Sequence, residues 1–172
     1  FKIDYKHKKM DLNFALAKLL VEGTSLRGAS RILGLTYKNT YRKFLWLKRV
    51  VEEKKKLLKY DETEIQFDEM ETIHHTKCKP LSITVVTSRK YLLSLQVAEM
   101  PAKGRLAQIS VAKYGPRKDE RLNTTERALL EVKDKLKTAP SIIKSDAYPT
   151  YKKIVSRVFP DANYEQYSRS GE

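Results

Sequence analysis

In Ile65-Gln66-Phe67-Asp68-Glu69-Met70-Glu71 a carboxylate stands in the middle of what reads as a β-strand. Side chains alternate along a strand, so Ile65 and Phe67 point to one face and Asp68 to the other, with Glu69 beside it. A carboxylate held on a strand inside a sheet costs free energy unless something compensates it, and a divalent cation is a common compensator. Far downstream a second strand, Ser141-Ile142-Ile143-Lys144-Ser145, runs into Asp146. If the two strands are neighbours, Asp68 and Asp146 can share a metal.

The 172 residues suffice for one ordinary domain, or for a small head and a larger body. An apolar fraction of 41% permits a core, and a charged fraction of 33% points to much solvated helix. No run is long enough for a membrane span and no signal-peptide pattern is present, so the expected setting is cytoplasmic, with no membrane partner. A single cysteine, Cys78, excludes an intrachain disulfide and fits a reducing compartment. The net charge of +14 is unevenly placed: residues 1–60 carry 16 Lys/Arg against 5 Asp/Glu, and 61–172 carry 19 against 16. A basic head on a near-neutral body is the footprint of a nucleic-acid binder with a second function attached.

Within the head, Asp11 to Glu22 reads as a helix capped by Asp11 and stopped by Gly23. Thr24 to Leu45 then reads as a short helix, a Gly-hydrophobe turn at Gly34, and a second helix opening on a Thr cap. Ala29 and Ser30 are small where two helices must cross, and Leu26, Ile32, Leu33, Leu35 and Leu45 are the expected core. This pattern predicts a helix-turn-helix, whose second helix enters the major groove of double-stranded DNA. Its exposed positions would be Thr36, Tyr37, Lys38, Asn39, Tyr41, Arg42 and Lys43. Asn39 suits an adenine edge, Lys38, Arg42 and Lys43 suit phosphate or guanine, and Arg27 and Arg31 join them from the preceding helix. The second helix is expected to run on to Leu58.

Composition changes at Asp61: Asp61 to Glu71 holds six acids and no base. Strands are expected at Glu64–Thr72, Leu81–Thr87 and Tyr91–Ala98, joined by short turns as an antiparallel meander. Met100 to Leu122 is basic and punctuated by Gly and Pro, and reads as a loop with some local structure. A helix opening at Asn123 buries Leu129, Val132 and Leu136, and Pro140 ends it. The strand 141–145 follows, then a helix 150–158 and a last strand 163–168. The fold class is thus mixed α+β and α/β: a helix-turn-helix head at 1–60, and at 61–172 a mixed-sheet domain in the order β-β-β-α-β-α-β.

That order is the order of the RNase H-like fold, in which one aspartate lies mid-strand on the first strand and another at the end of the fourth. With the helix-turn-helix ahead of it, Phe67-Asp68-Glu69 followed by Ser145-Asp146-Ala147-Tyr148-Pro149-Thr150-Tyr151 resembles the DDE-class transposases of bacterial insertion sequences, from about Leu12 onward. The resemblance implies metal-dependent cleavage and strand transfer of DNA at the terminal inverted repeats of a mobile element, by a homo-oligomer on DNA. It implies Mg²⁺ or Mn²⁺ held by acids, with Asp68 and Asp146 as catalytic and metal-binding residues, in a prokaryotic, nucleoid-associated protein. It also implies a third acid on a helix after the last strand. Glu172 is either that acid or the end of a catalytic domain truncated before it.

Two other readings compete: a non-enzymatic DNA-binding regulator related to a truncated transposase, and a nuclease or resolvase on the same fold. His74, His75 and Cys78 could be read as zinc ligands, but three ligands beside a turn with no fourth favour an ordinary turn.

Overall fold

The computed structural model describes residues 8–168. Among them lie six helices and one mixed five-stranded sheet, and the chain divides into two compact units, Phe1–Leu58 and Lys59–Glu172.

The first unit is helical: α1 (Asp11–Val21), α2 (Leu26–Ile32) and α3 (Tyr37–Leu57), each packed against the other two. Its turns repeat one device. Gly23 and Gly34 take positive φ, 79° and 61°, where a side chain would be strained. At each, the amide two residues past the C-cap bonds back to a carbonyl of the last turn, Thr24 N–H to Leu19 O and Leu35 N–H to Ser30 O. The next helix then opens on a hydroxyl cap: Ser25 Oγ accepts from Gly28 N–H, and Thr36 Oγ1 from Asn39 N–H.

Asp11 is not the cap of α1. Met10 occupies that position without a side-chain bond, and Asp11 lies in the first turn, where its charge suits the helix dipole. The core is also narrower than expected. Leu16, Ala29 and Thr40 are fully buried, whereas Ile32 is 64% and Leu45 39% exposed. Each stands two residues, about 200° of helix rotation, past a buried position (Ser30 and Lys43), and so turns outward.

In the second unit β1 (Glu64–Ile73), β2 (Pro80–Thr87) and β3 (Leu92–Glu99) form an antiparallel meander. The chain then passes through α4 (Leu106–Tyr114) and α5 (Arg121–Lys135) to β4 (Ile142–Asp146), and through α6 (Tyr151–Val158) to β5 (Asn163–Tyr167). The sheet order is β3-β2-β1-β4-β5, with β1, β4 and β5 parallel. Ile65, Phe67, Val86, Leu93 and Ile143 on one face of the sheet pack with Leu129 and Val132 of α5 and Ile154, Val155 and Val158 of α6. The other face carries Asp68, Met70, Leu95 and Val97, all exposed.

Helix α4 falls where a loop was expected. It buries only Ser110, so it has no apolar stripe to betray it, and Gly104 and Gly115 at its ends read as loop punctuation. Helix α5 begins two residues before Asn123 and lacks a side-chain cap, and Thr124 and Thr125 are buried on its inner face. No helix among the described residues is long and apolar enough to cross a membrane.

Because Ile143 is wholly buried between sheet and helices, Ile143→Ala is expected to cost about 2–5 kcal/mol in urea unfolding. Ile109→Ala, on the exposed side of α4, should stay within about 0.5 kcal/mol. Equal losses at the two sites would contradict this division between core and surface.

Candidate functional site

The pairing of β1 with β4 decides where the carboxylates meet. Glu64, Ile65 and Gln66 lie opposite Ile142, Ile143 and Lys144 in parallel register. Two residues beyond Gln66 is Asp68, and two beyond Lys144 is Asp146. Residues an even number of positions beyond a level pair keep its face, so both carboxylates fall on the helix-free face, near enough for the Asp68 charge to act on Asp146. Both line an open cleft of about 980 Å³ with Gln66, Met70, Val85, Thr87, Lys144 and Tyr167 among its walls.

Asp68 is exposed on the cleft floor, on the face opposite Ile65 and Phe67. Its Oδ1 accepts the Glu69 N–H at 2.8 Å. Asp146, where β4 ends, accepts the Tyr148 backbone N–H, and Gln166 donates to Tyr148 O at 3.1 Å, which ties down the chain just beyond the acid. Lys144 in the same cleft is held by Glu64 at 2.7 Å.

Alternation sends Glu69 to the opposite face. There Ser82 Oγ and Thr125 Oγ1 donate to its two oxygens at 3.2 and 2.7 Å, and the Tyr151 hydroxyl also bonds it. Burial, reinforced by the Glu69 charge, pushes the Tyr151 phenol far up, so it remains a neutral donor. The Tyr151 ring meets Phe67 edge-on, 5.0 Å between centroids. The Asp-Glu dipeptide thus has two jobs: Asp68 faces the cleft and Glu69 pins β1 to β2, α5 and α6. Burial, then the neighbouring charge of Asp68, raises the Asp146 carboxyl above its ordinary 3.8 despite the Tyr148 hydrogen bond. Two oxygen donors with unrelieved mutual repulsion are a chemically suitable set for a hard divalent cation, since Mg²⁺ often takes one or two carboxylates and leaves its other positions to water and substrate phosphates.

Among the described residues no group of three or more His, Cys, Asp and Glu converges as a metal site. Glu172 lies outside those residues. Near the β1–β2 turn, His74 and His75 pack edge-on, their Nδ1 atoms 3.4 Å apart, and Cys78 is buried.

On the first unit, Arg27, Arg31, Thr36, Tyr37, Lys38, Asn39 and Arg42 are all exposed. Thr36 spends its hydroxyl on the helix cap. Tyr37 stacks on Tyr41 and lies beneath the Arg27 guanidinium. Lys43 is a correction: only 6% exposed, it turns inward, and its ammonium donates to Lys8 O, Lys9 O and Asn13 Oδ1 at 2.9, 2.7 and 2.8 Å. Lys43 stands three residues past buried Thr40 on the same side of α3. Burial lowers its affinity for a proton, with Asp11 opposing that effect.

No protein-family profile matches the chain, and no curated protein matches it.

Two outcomes follow from these environments. Asp146 binds its proton more tightly folded than unfolded, so stability falls as pH climbs from 3.8 through the raised value, and the cost is full above it. Asp146→Asn removes that cost and should unfold at a higher temperature than the parent at neutral pH, with the gain gone in acid below 3.8. A less stable Asn variant at neutral pH would refute the electrostatic account. Lys43→Ala leaves three acceptors without their donor and should lower the stability of the head by about 1–3 kcal/mol by chemical unfolding. The same change should leave the salt dependence of any DNA binding unaltered.

Proposed function

We propose that this protein is a DNA transposase of the DDE class, with a helix-turn-helix head for DNA recognition and an RNase H-like body for phosphoryl transfer. The observation that carries the proposal is that Asp68, on β1, and Asp146, at the end of the neighbouring parallel strand β4, line one open cleft. The sheet order β3-β2-β1-β4-β5, with a mid-strand acid on β1 and a terminal acid on β4, supports the RNase H-like assignment. The basic charge of the head and the exposed Lys38, Asn39 and Arg42 at the start of α3 support the DNA-binding one.

In this reading the substrate is a phosphodiester of double-stranded DNA at the terminal inverted repeats of a mobile element, and then of target DNA. Asp68 and Asp146 would hold Mg²⁺ or Mn²⁺, which would supply Lewis-acid stabilisation of charge on the phosphoryl and leaving oxygens. The chain's own part is positional. The Glu69 bonds fix β1, the Tyr148 and Gln166 bonds fix the end of β4, and the two carboxylates keep their spacing because the strands do. On the head, Lys38 and Arg42 hold phosphates and Asn39 reads a base edge. A nucleoid-associated homo-oligomer follows from the same reading.

A second reading, a DNA-binding regulator without activity, is favoured by one observation: two converging carboxylates among the described residues, where the resemblance implies three. Cleavage of a labelled inverted-repeat duplex in Mg²⁺ or Mn²⁺ separates the two. A transposase cleaves it, and Asp68→Ala brings cleavage below detection while binding persists. Cleavage that survived Asp68→Ala would refute the assignment, and binding without cleavage in either metal would favour the regulator. In both readings Lys38→Ala and Arg42→Ala should each reduce the slope of log K against log [salt] by about 0.9.

A further inference from the structure

The second unit carries its excess of positive charge in two segments. Residues 72–80 and 100–118 contain seven Lys/Arg (Lys77, Lys79, Lys103, Arg105, Lys113, Arg117 and Lys118) and no Asp or Glu. The rest of 61–172 holds 12 Lys/Arg against 16 Asp/Glu, so outside these two segments the body is acidic. The fold brings the two segments together. Ser110 Oγ donates to Cys78 O at 2.7 Å, and Arg117 Nη2 to Pro80 O at 3.2 Å. The Tyr114 ring, from the end of α4, has Lys79 Nζ at 4.4 Å and Lys113 Nζ at 5.4 Å from its centroid, with His75 at its edge. Both ammonium groups therefore lie within about one Debye length of each other.

Some of the local cations are spent on acids: Lys103 on Glu71 and Arg117 on Glu99. Lys77, Lys79, Arg105, Lys113 and Lys118 have no carboxylate within ion-pairing distance among the described residues. Five cations that no acid pairs repel one another, and a polyanion relieves that repulsion. The rings at this place are occupied by their own neighbours rather than offered for base stacking, which favours binding to the backbone over base readout.

We propose that the β1–β2 turn and α4 form a second nucleic-acid surface, which holds the phosphate backbone of duplex DNA without reading its sequence. The inference rests on the reading of the protein as a DNA binder and is independent of its metal chemistry.

The test uses the full chain, a labelled random-sequence duplex and a salt series followed by fluorescence anisotropy. Lys77, Arg105 and Lys113 are exposed. The triple variants Lys77→Ala/Arg105→Ala/Lys113→Ala and Lys77→Glu/Arg105→Glu/Lys113→Glu should therefore unfold at the parent temperature. The expected result is a slope of log K against log [salt] shallower by about 0.9 for each phosphate that the variant no longer neutralises, added to the reduction from Arg42→Ala in the head. If the parent binds and both triple variants keep its slope, this inference is overturned and the DNA-binding reading stands. If the parent binds neither this duplex nor the inverted repeat, both are overturned. Loss of binding to phosphatidylserine vesicles with duplex binding unchanged would assign the surface to a membrane and overturn the proposal as well.

Discussion

The second unit depends on three residue pairs, Glu64–Ile142, Ile65–Ile143 and Gln66–Lys144, that join β1 to β4 in parallel. Parallel neighbours cannot be joined by a tight turn, so the chain between them must leave the sheet and return by a crossover. It does so through β2 and β3, which extend the sheet on one side of β1, and through α4 and α5. Helix α5 lies on the face that presents Ile65 and Phe67, and the β4–α6–β5 unit adds α6 beside it. Burial of Ile65 and Ile143 against these helices, roughly 1.5–3 kcal/mol for each such side chain, fixes the register. A slip by one residue would turn Ile143 outward and move Asp146 to the helix face. The hydrophobic core and the carboxylate pair are thus consequences of one alignment.

Polar groups inside both units are held by local donors and acceptors, and no buried side-chain nitrogen or oxygen among the described residues lacks a partner. Glu69 shows how this serves the cleft. Its carboxylate ties β1 to Ser82, Thr125 and Tyr151, so the strand under Asp68 is anchored on one face while the other stays open. In the head, Lys43 closes α3 onto the turn before α1 and onto Asn13. A buried ammonium is tolerated there because three oxygens surround it. Along the helix, Lys38, Asn39 and Arg42 are left to solvent and Lys43 is drawn inside.

The five strands and five of the six helices were legible in the sequence, because alternation and caps are local properties. Ser25, Thr36, Gly23 and Gly34 announce their roles through backbone chemistry that needs no distant partner. Asp68 and Asp146 were legible as strand-borne acids. Helix α4 was not, since a helix that buries one serine leaves no periodic signal. Ile32, Leu45 and Lys43 were misplaced for a related reason: which side of a helix faces inward depends on the helices it meets, and a three-helix unit has little interior to offer.

The sequence by itself determined that this protein has a basic helical head, a strand-rich body and an acid in the middle of β1. Only the tertiary structure decided that β1 and β4 are neighbours in parallel, that Asp68 opens onto a cleft while Glu69 faces the helices, and that the cations of 72–80 and 100–118 fold together. Local propensity is set by a residue and its near neighbours. Pairing across some eighty residues is set by how much apolar surface the whole sheet can bury, and no short stretch of sequence contains that comparison.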